Sequence, residues 1–448
     1  MLTVELQITE RSRKYKQEPL TNLHHFIDEE LLQKSYRSLN KDSVPGVDDK
    51  YWHNYSFESY YRISELLEEF KSGKYKAPPV RRVYIRKGKT GKRPLGIPTI
   101  EDKVLQESVR RILTPVYEEE FKDFSYGFRS EHSAHQAIDY MFKEVSFKGM
   151  YHIIDADITN YFGSINHGLL REFLDRRVKD GVIRKMIDKW LKAGIVEGKQ
   201  LSYPEDGTPQ GGVISPLLSN IYLHYVLDEW FSEQIQPLLS GKSFIVRYAD
   251  DFVMGFEKAS DAERVMKVLP KRFEKYKLEL HPDKTKIVNL HSKRGEGNRS
   301  FDFLGFTHYL GKSRKGNVIM KRKTCSKKLT LALMKILDWI KRNRCTKLKE
   351  LIFELNLKMQ GHYGYYGITF NSKGINSYYE QVKRILHKWL NRRGGKPIWN
   401  WKRFTTLINE WMPLLKPKIY HSYQKLKLKP IKRNRMQERC SSGSAGER

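Results

Sequence analysis

Apolar residues recur along this chain with two periods, and the period separates strands from helices. Leu66, Leu67 and Phe70 share one face of a helix expected over about Phe57–Phe70. Alternation from Arg81 to Arg86, the turn-forming stretch Gly88-Lys89-Thr90-Gly91 and a return from Arg93 to Ile97 predict a hairpin. Thr99 and Asp102 have capping-box spacing ahead of a helix carrying Val104, Leu105, Ser108, Val109, Ile112 and Leu113, which Thr114-Pro115 should stop. Tyr151–Asp157 reads as a short strand. Asn166 then caps a helix with Leu169, Leu170, Phe173 and Leu174, and a second helix runs from about Ile183 to Lys192. Ser215-Pro216 marks the N-cap of a helix reaching Phe231. Phe244–Phe256 reads strand, tight turn, strand. Ser260-x-x-Glu263 opens a helix containing Pro270, and Phe301–Phe306 is a short strand. The opening stretch to about Lys41 is polar and weakly patterned, and Val44–Asp48 reads as a turn.

The texture changes near Gly311. From Thr324 onward the pattern is helical, with Leu329, Leu333, Ile336, Leu337 and Ile340 on one face and Tyr378, Val382, Ile385, Leu386 and Trp389 on another. Charge changes at the same place. The chain carries a net +31, of which residues 311–448 hold +27 (34 Lys and Arg against 7 Asp and Glu), leaving the front nearly neutral. A basic back of this kind suits a polyanionic partner such as nucleic acid. The tail after about Tyr423 is basic and expected to be mobile. The three cysteines form no C-x-x-C pair, the first thirty residues lack a signal-peptide core, and no run of eighteen apolar residues occurs. These features speak against a disulfide scaffold, a structural zinc site and a membrane span, and fit a cytoplasmic address, with a nucleoid-associated one as the alternative.

Nucleotidyl transfer needs two divalent metals about 4 Å apart, and magnesium prefers hard oxygen ligands. Carboxylates at the ends of adjacent strands meet that need. Asp157 ends the strand Tyr151–Asp157, and Asp250-Asp251 sit at the turn between two apolar strands. The bland alternative for the pair is an exposed β-turn. Asp155 competes with Asp157 but is expected to face the other side or to form a salt bridge.

These residues resemble a known family. Tyr248-Ala-Asp-Asp251 is similar to the catalytic box of reverse transcriptases, and Asp157-Ile-Thr-Asn-Tyr-Phe162 to their first palm motif. Thr208–Asn220 resembles their template- and nucleotide-contacting loop. Arg81–Lys87, Arg93–Thr99, Ser125–Arg129, Leu278–Thr285 and Phe301–Phe306 extend the likeness, in order, to the reverse transcriptases and maturases encoded by group II introns. It continues more weakly at Gly361–Tyr366 and Trp399–Arg403. The chain departs from the family at Gly46-Val-Asp-Asp49, and no zinc-knuckled endonuclease follows the helical unit, as in endonuclease-lacking branches.

The resemblance implies an α+β right-hand polymerase, with an antiparallel palm sheet packed on helices and an α-helical thumb or maturase domain behind. The expected organisation is an extension (1–50), fingers (51–150), palm (151–310, with part of the fingers at about 165–205), thumb (311–415) and basic tail (416–448). It implies catalysis through Asp157, Asp250 and Asp251 on two Mg2+ ions, with Mn2+ as a substitute. Lys87, Arg93, Phe162, Gln210 and Gly211 would bind the nucleotide, with Phe162 rejecting a ribose 2′-hydroxyl. Arg129, Gly212 and Tyr248 would bind template or primer, a structural salt bridge being the alternative for Arg129. Partners would be an RNA template, a DNA or RNA primer, deoxynucleoside triphosphates and intron RNA. Other readings are a domesticated or defence-associated reverse transcriptase, and a non-catalytic RNA-binding splicing chaperone. The tryptophans interleaved with cations, Trp389, Trp399 and Trp401, suit either base stacking or a helix core.

Overall fold

Alternating apolar stretches form three sheets in the computed structural model, which describes residues 3–16, 18–87, 91–208, 210–292, 298–393 and 398–422, without the side chains of 86 and 87. The chain divides into two compact units, residues 1–137 with 150–288, and residues 138–149 with 289–448. They part upstream of the change in texture near Gly311, because a sheet of the second unit begins at Ser300.

The first unit begins with helices α1 (Val4–Lys14), α2 (Glu29–Ser38), α3 (Trp52–Ser56) and α4 (Ser59–Lys71). The weakly patterned opening is thus ordered, because its few apolar residues are used fully. Ile8, Leu23, Leu32 and Tyr36 are buried, and α1 and α2 pack on a central helix, α5 (Ile100–Glu118). The hairpin β1 (Val80–Lys87) and β2 (Gly91–Ile97) forms as expected, in a sheet ordered β2-β1-β4-β5 with β4 (Ile195–Glu197) and β5 (Gln200–Ser202). Its turn, residues 88–90, lies outside the described residues.

Thr99 caps α5 by accepting from the Asp102 amide, but Pro115 does not stop the helix. Beyond it, Val116 and Tyr117 are fully buried, and that apolar drive outweighs one lost backbone bond. Helix α6 (Ala134–Lys148), which belongs to the second unit from residue 138 on, follows, then β3 (His152–Ala156), α7 (His167–Asp175) capped by Asn166, and α8 (Gly181–Leu191) capped by Asp180. Helix α9 (Ser215–Leu223) starts at Ser215, with Ile214 and not Ser215 as its N-cap, and continues through π-helical turns at His224–Asp228 and Trp230–Ile235. The Leu217 and Leu218 amides, which a Ser215 cap would have satisfied, donate instead to the Ile214 carbonyl at 3.0 and 3.2 Å. Strands β6 (Ser243–Tyr248) and β7 (Asp251–Phe256), helix α10 (Ala259–Lys275) and β8 (Lys286–Asn289) complete the unit, with sheet order β6-β7-β3-β8. Ser260 lies inside α10 and does not cap it, and Pro270 is accommodated within it.

In the second unit the stretch expected as one strand, Phe301–Phe306, is a hairpin. Strands β9 (Ser300–Phe303) and β10 (Phe306–Lys312) are joined by Leu304 and Gly305, both at positive φ (49° and 78°) as a type I′ turn requires. Strand β11 (Val318–Thr324) adds the sheet's third member. Helices α11 (Ser326–Arg342), α12 (Leu348–Tyr366), α13 (Ser372–Leu390) and α14 (Trp401–Thr406) follow, around a core that includes Ile340, Leu355, Tyr363, Tyr378 and Leu386. Residues 423–448, expected to be mobile, lie outside the described residues. Among the described residues no helix is long and apolar enough to cross a membrane.

One buried acid gives the first unit a measurable pH dependence. Asp102 is 1% exposed, and its Oδ1 accepts from the Tyr75 hydroxyl (3.0 Å) and the Trp190 indole (2.9 Å). Burial lifts its pKa to about 7 from 3.8, against the lowering effect of these two bonds. Between those values the folded chain keeps a proton that the unfolded chain has released, so Asp102's contribution to stability falls as pH rises from about 4 to about 7. Urea unfolding of wild type and Asp102→Asn across this range should show the wild type losing stability relative to the variant as pH rises. Parallel profiles would remove Asp102 as the cause.

Candidate active site

Strand register brings the three candidate carboxylates together. Strands β6 and β7 pair antiparallel up to Tyr248 opposite Asp251, leaving Ala249 and Asp250 as a two-residue loop. Strand β3 pairs antiparallel with β7 as far as Ala156 opposite Phe252. One step further along that register, Asp157 comes opposite Asp251. Facing residues of an antiparallel pair project to the same side with Cβ atoms about 4.5–5.5 Å apart. All three acids therefore lie at one end of one sheet.

The chain beyond β3 stays extended against the stretch before β8. The Thr159 amide donates to the Glu279 carbonyl and the His281 amide to the Asp157 carbonyl, each at 2.8 Å. This pairing delivers two lysines to two acids: Lys284 Nζ lies 2.5 Å from Asp157 Oδ2, and Lys286 Nζ lies 4.0 Å from Asp155 Oδ2. Asp155 thus forms the expected ion pair, but strand alternation puts it on the same side as Asp157 and not the other. Sequence reasoning missed Lys284. The signal was an Asp-x-Asp and a Lys-x-Lys, both with period two.

The donor set suits a divalent metal: three carboxylates offer hard oxygens, and Asp157 already holds a cation, the Lys284 ammonium. Among the described residues, no group of three or more His, Cys, Asp or Glu is already close enough to hold a metal ion. A metal at Asp157 would therefore displace Lys284.

The glycine-rich loop closes on both the segment that follows the first acid and the hairpin. The Thr208 amide donates to the Phe162 carbonyl (2.8 Å) and the Gly207 amide to the Ile165 carbonyl (2.8 Å). On the other side, the Gly96 amide of β2 donates to the Gln210 carbonyl at 2.6 Å. Gly211 has φ +115°, and a Cβ there would come 2.6 Å from the Gly96 carbonyl oxygen, so glycine is required on two counts. Gln210 Oε1 is buried without a hydrogen-bond partner. Buried Gly212 passes its carbonyl to the Ser215 amide (3.3 Å). Gln106, buried beneath this loop, holds it through Val213 at 2.8 Å and was not singled out from sequence.

Phe162 is half-buried in a 3₁₀ turn, its ring 5.5 Å from that of Tyr161. Tyr248 is half-buried beside the acids. Arg93 is exposed on β2 opposite Ile85, and Lys87 ends β1 opposite Gly91, its side chain lying outside the described residues.

Arg129 takes its structural alternative. Its Nε and Nη2 donate to Glu118 (3.0 and 2.8 Å), its Nη1 donates to the Lys122 and Ser125 carbonyls, and its side chain is 5% exposed. A guanidinium used this fully has little left for a template phosphate. His167 is likewise structural, its Nε2 2.7 Å from the Gly207 carbonyl.

Comparison with known proteins agrees with this geometry. Residues 85–308 match the family described as reverse transcriptase (RNA-dependent DNA polymerase). The group II intron-encoded protein LtrA of Lactococcus lactis subsp. cremoris is 36% identical over 223 residues, 49% of this chain and 36% of that protein. Protein YkfC of Escherichia coli is 32% identical over 311 residues, 61% of this chain and 78% of its own length. An uncharacterized 91 kDa protein in the cob intron of Schizosaccharomyces pombe is 36% identical over 185 residues, 41% of this chain and 22% of that protein. The chain thus spans about a third of the Lactococcus relative, and the family match covers the carboxylates, the glycine-rich loop and most of the β1–β2 hairpin. It belongs to the reverse transcriptase (RNA-dependent DNA polymerase) family, among relatives that include group II intron-encoded proteins.

Proposed function

We propose that this protein copies RNA into DNA as a reverse transcriptase of the group II intron type, and that it binds intron RNA to assist splicing and mobility. The register that sets Asp157 opposite Asp251, with Asp250 in the adjoining turn, carries this reading. The family is generally metal-dependent. Asp157, Asp250 and Asp251 would hold two Mg2+ ions, with Mn2+ able to substitute. Bound there, the metals would activate the primer hydroxyl and neutralise the triphosphate.

The chain's own residues supply the frame. Arg93 and Lys87, on opposite arms of the hairpin, receive the triphosphate. Phe162 lies under the sugar. Gln210 and Gly211 border the nucleotide, and Gly212 and Tyr248 border template and primer. Arg129 has no part in this reading, because its nitrogens are already committed to protein acceptors. Residues 51–150 and about 165–205 correspond to fingers, 151–310 to palm and 311–415 to thumb. The unpaired RNA is held by the basic second unit, where Lys341, Arg344 and Arg392 stand 5.3–6.0 Å from the centre of the Trp389 ring. Cations there neutralise phosphates, which makes binding salt-sensitive. The cysteine usage fits a cytoplasmic setting.

Primer extension on an RNA template tests the reading. The wild type should incorporate deoxynucleotides only with Mg2+ or Mn2+ present and not after chelation, and Asp250→Ala should lose at least about a hundredfold in rate. Absence of extension by a wild type that still binds RNA would favour a non-catalytic RNA-binding role. Phe162→Ala should narrow the preference for deoxynucleotides over ribonucleotides by about 10–100-fold, measured as the ratio of kcat/KM values. An unchanged ratio would leave Phe162 as a core residue only.

A further inference from the structure

Arg247 is fully buried one residue before the end of β6, and its guanidinium spends every nitrogen near the catalytic turn. Its Nε donates to Asp228 Oδ1 at 2.8 Å and its Nη2 to Asp228 Oδ2. Its Nη1 donates both to Asn220 Oδ1 (2.9 Å) and to the Ala249 carbonyl (3.0 Å). Asn220 in turn donates to the Gly127 carbonyl at 2.7 Å. The Arg247 backbone pairs with the same segment, its amide donating to the Phe124 carbonyl and its carbonyl accepting from the Tyr126 amide. A Cβ on Gly127 would come 2.2 Å from the Ala249 nitrogen, so that segment lies hard against the turn.

Ala249 needs such support. It has φ 60° at the first position of the two-residue loop, a left-handed conformation that is strained for alanine. The opposing acid, Asp228, is fully buried on a π-helical turn. His224 lies 4.0 Å away, but burial, reinforced by Arg247 and other nearby cations, pushes its pKa down to about 3, so it is neutral and Arg247 is Asp228's charge partner. Strand alternation puts the Arg247 side chain on the face opposite Tyr248 and Asp251. Arg247 therefore reaches the turn's backbone from the face opposite the Asp251 side chain.

A buried ion pair of this kind adds little net stability, because desolvation offsets the attraction. Its four side-chain bonds instead define a conformation. On the reading of the chain as a metal-dependent polymerase, we propose that Arg247, anchored by Asp228 and Asn220, is a positioning residue. It locks the left-handed Ala249 turn and so fixes Asp250 and Asp251 relative to Asp157.

The double variant Arg247→Met/Asp228→Leu separates positioning from stability, since it removes both charges together and leaves neither unpaired. It should unfold at least at the wild-type denaturant midpoint and bind primer–template with unchanged Kd. Yet kcat should fall by about 10–100-fold, and Mn2+ binding measured by electron paramagnetic resonance should weaken. Wild-type kcat and Mn2+ affinity in the folded double variant would overturn the proposal. Should that variant not fold, Arg247→Lys keeps the charge beside Asp228 but cannot bridge Asp228, Asn220 and Ala249 at once. It should show the same split between kcat and primer–template Kd, and unchanged values for both kcat and Mn2+ affinity would overturn the proposal equally. A wild type that neither extends a primer nor binds Mn2+ would refute the polymerase reading itself.

Discussion

The site depends on the antiparallel register between β3 and β7. A slip of one residue would turn every side chain of β3 to the other face and separate Asp157 from Asp251. That register is held from within by Ile153, Ile154, Val253, Met254 and Phe256, all fully buried in the first unit. The core thus places the carboxylates through strand pairing, and they sit at the end of the pairing, where water can reach them. Asp157 keeps 41% of its side chain exposed, while Ile154 and Ile153, three and four positions upstream, keep none.

Around this end of the sheet, backbone contacts join segments far apart in sequence. Gly96 meets Gln210 and Gly211, Thr208 meets Phe162, and Gly127 meets Ala249. Each contact involves a glycine or a main-chain carbonyl, and at Gly127 and Gly211 no larger residue would let the chains approach. The glycines of these motifs therefore act as spacing elements, which is why they occur beside the residues assigned to the nucleotide and the metals.

Much of this was legible in the sequence because local signals agreed with the final packing. The Asp250-Asp251 turn between two apolar strands, the Asn166 cap and the Thr99 cap all stand as read. What was not legible depended on tertiary contacts. Pro115 lies inside a helix because Val116 and Tyr117 beyond it are buried, and the opening helices are fixed by long-range bonds such as Arg177 to the carbonyls of Tyr15, Lys16 and Glu18. The hairpin at Leu304-Gly305 was missed because leucine does not advertise a positive φ. Arg129 and Arg247 look alike in sequence, each an arginine in or beside a motif. Only their partners show that one binds Glu118 and the other the Ala249 carbonyl in the turn between β6 and β7.

The central claim is that three carboxylates, gathered by one register, hold the metals for RNA-templated DNA synthesis. Anomalous diffraction from crystals containing an RNA template, a primer, an incoming deoxynucleotide and Mn2+ tests it most directly. The account predicts two manganese peaks about 4 Å apart among Asp157, Asp250 and Asp251, with Lys284 turned away from Asp157. Manganese bound elsewhere, with Lys284 still paired to Asp157, would contradict it.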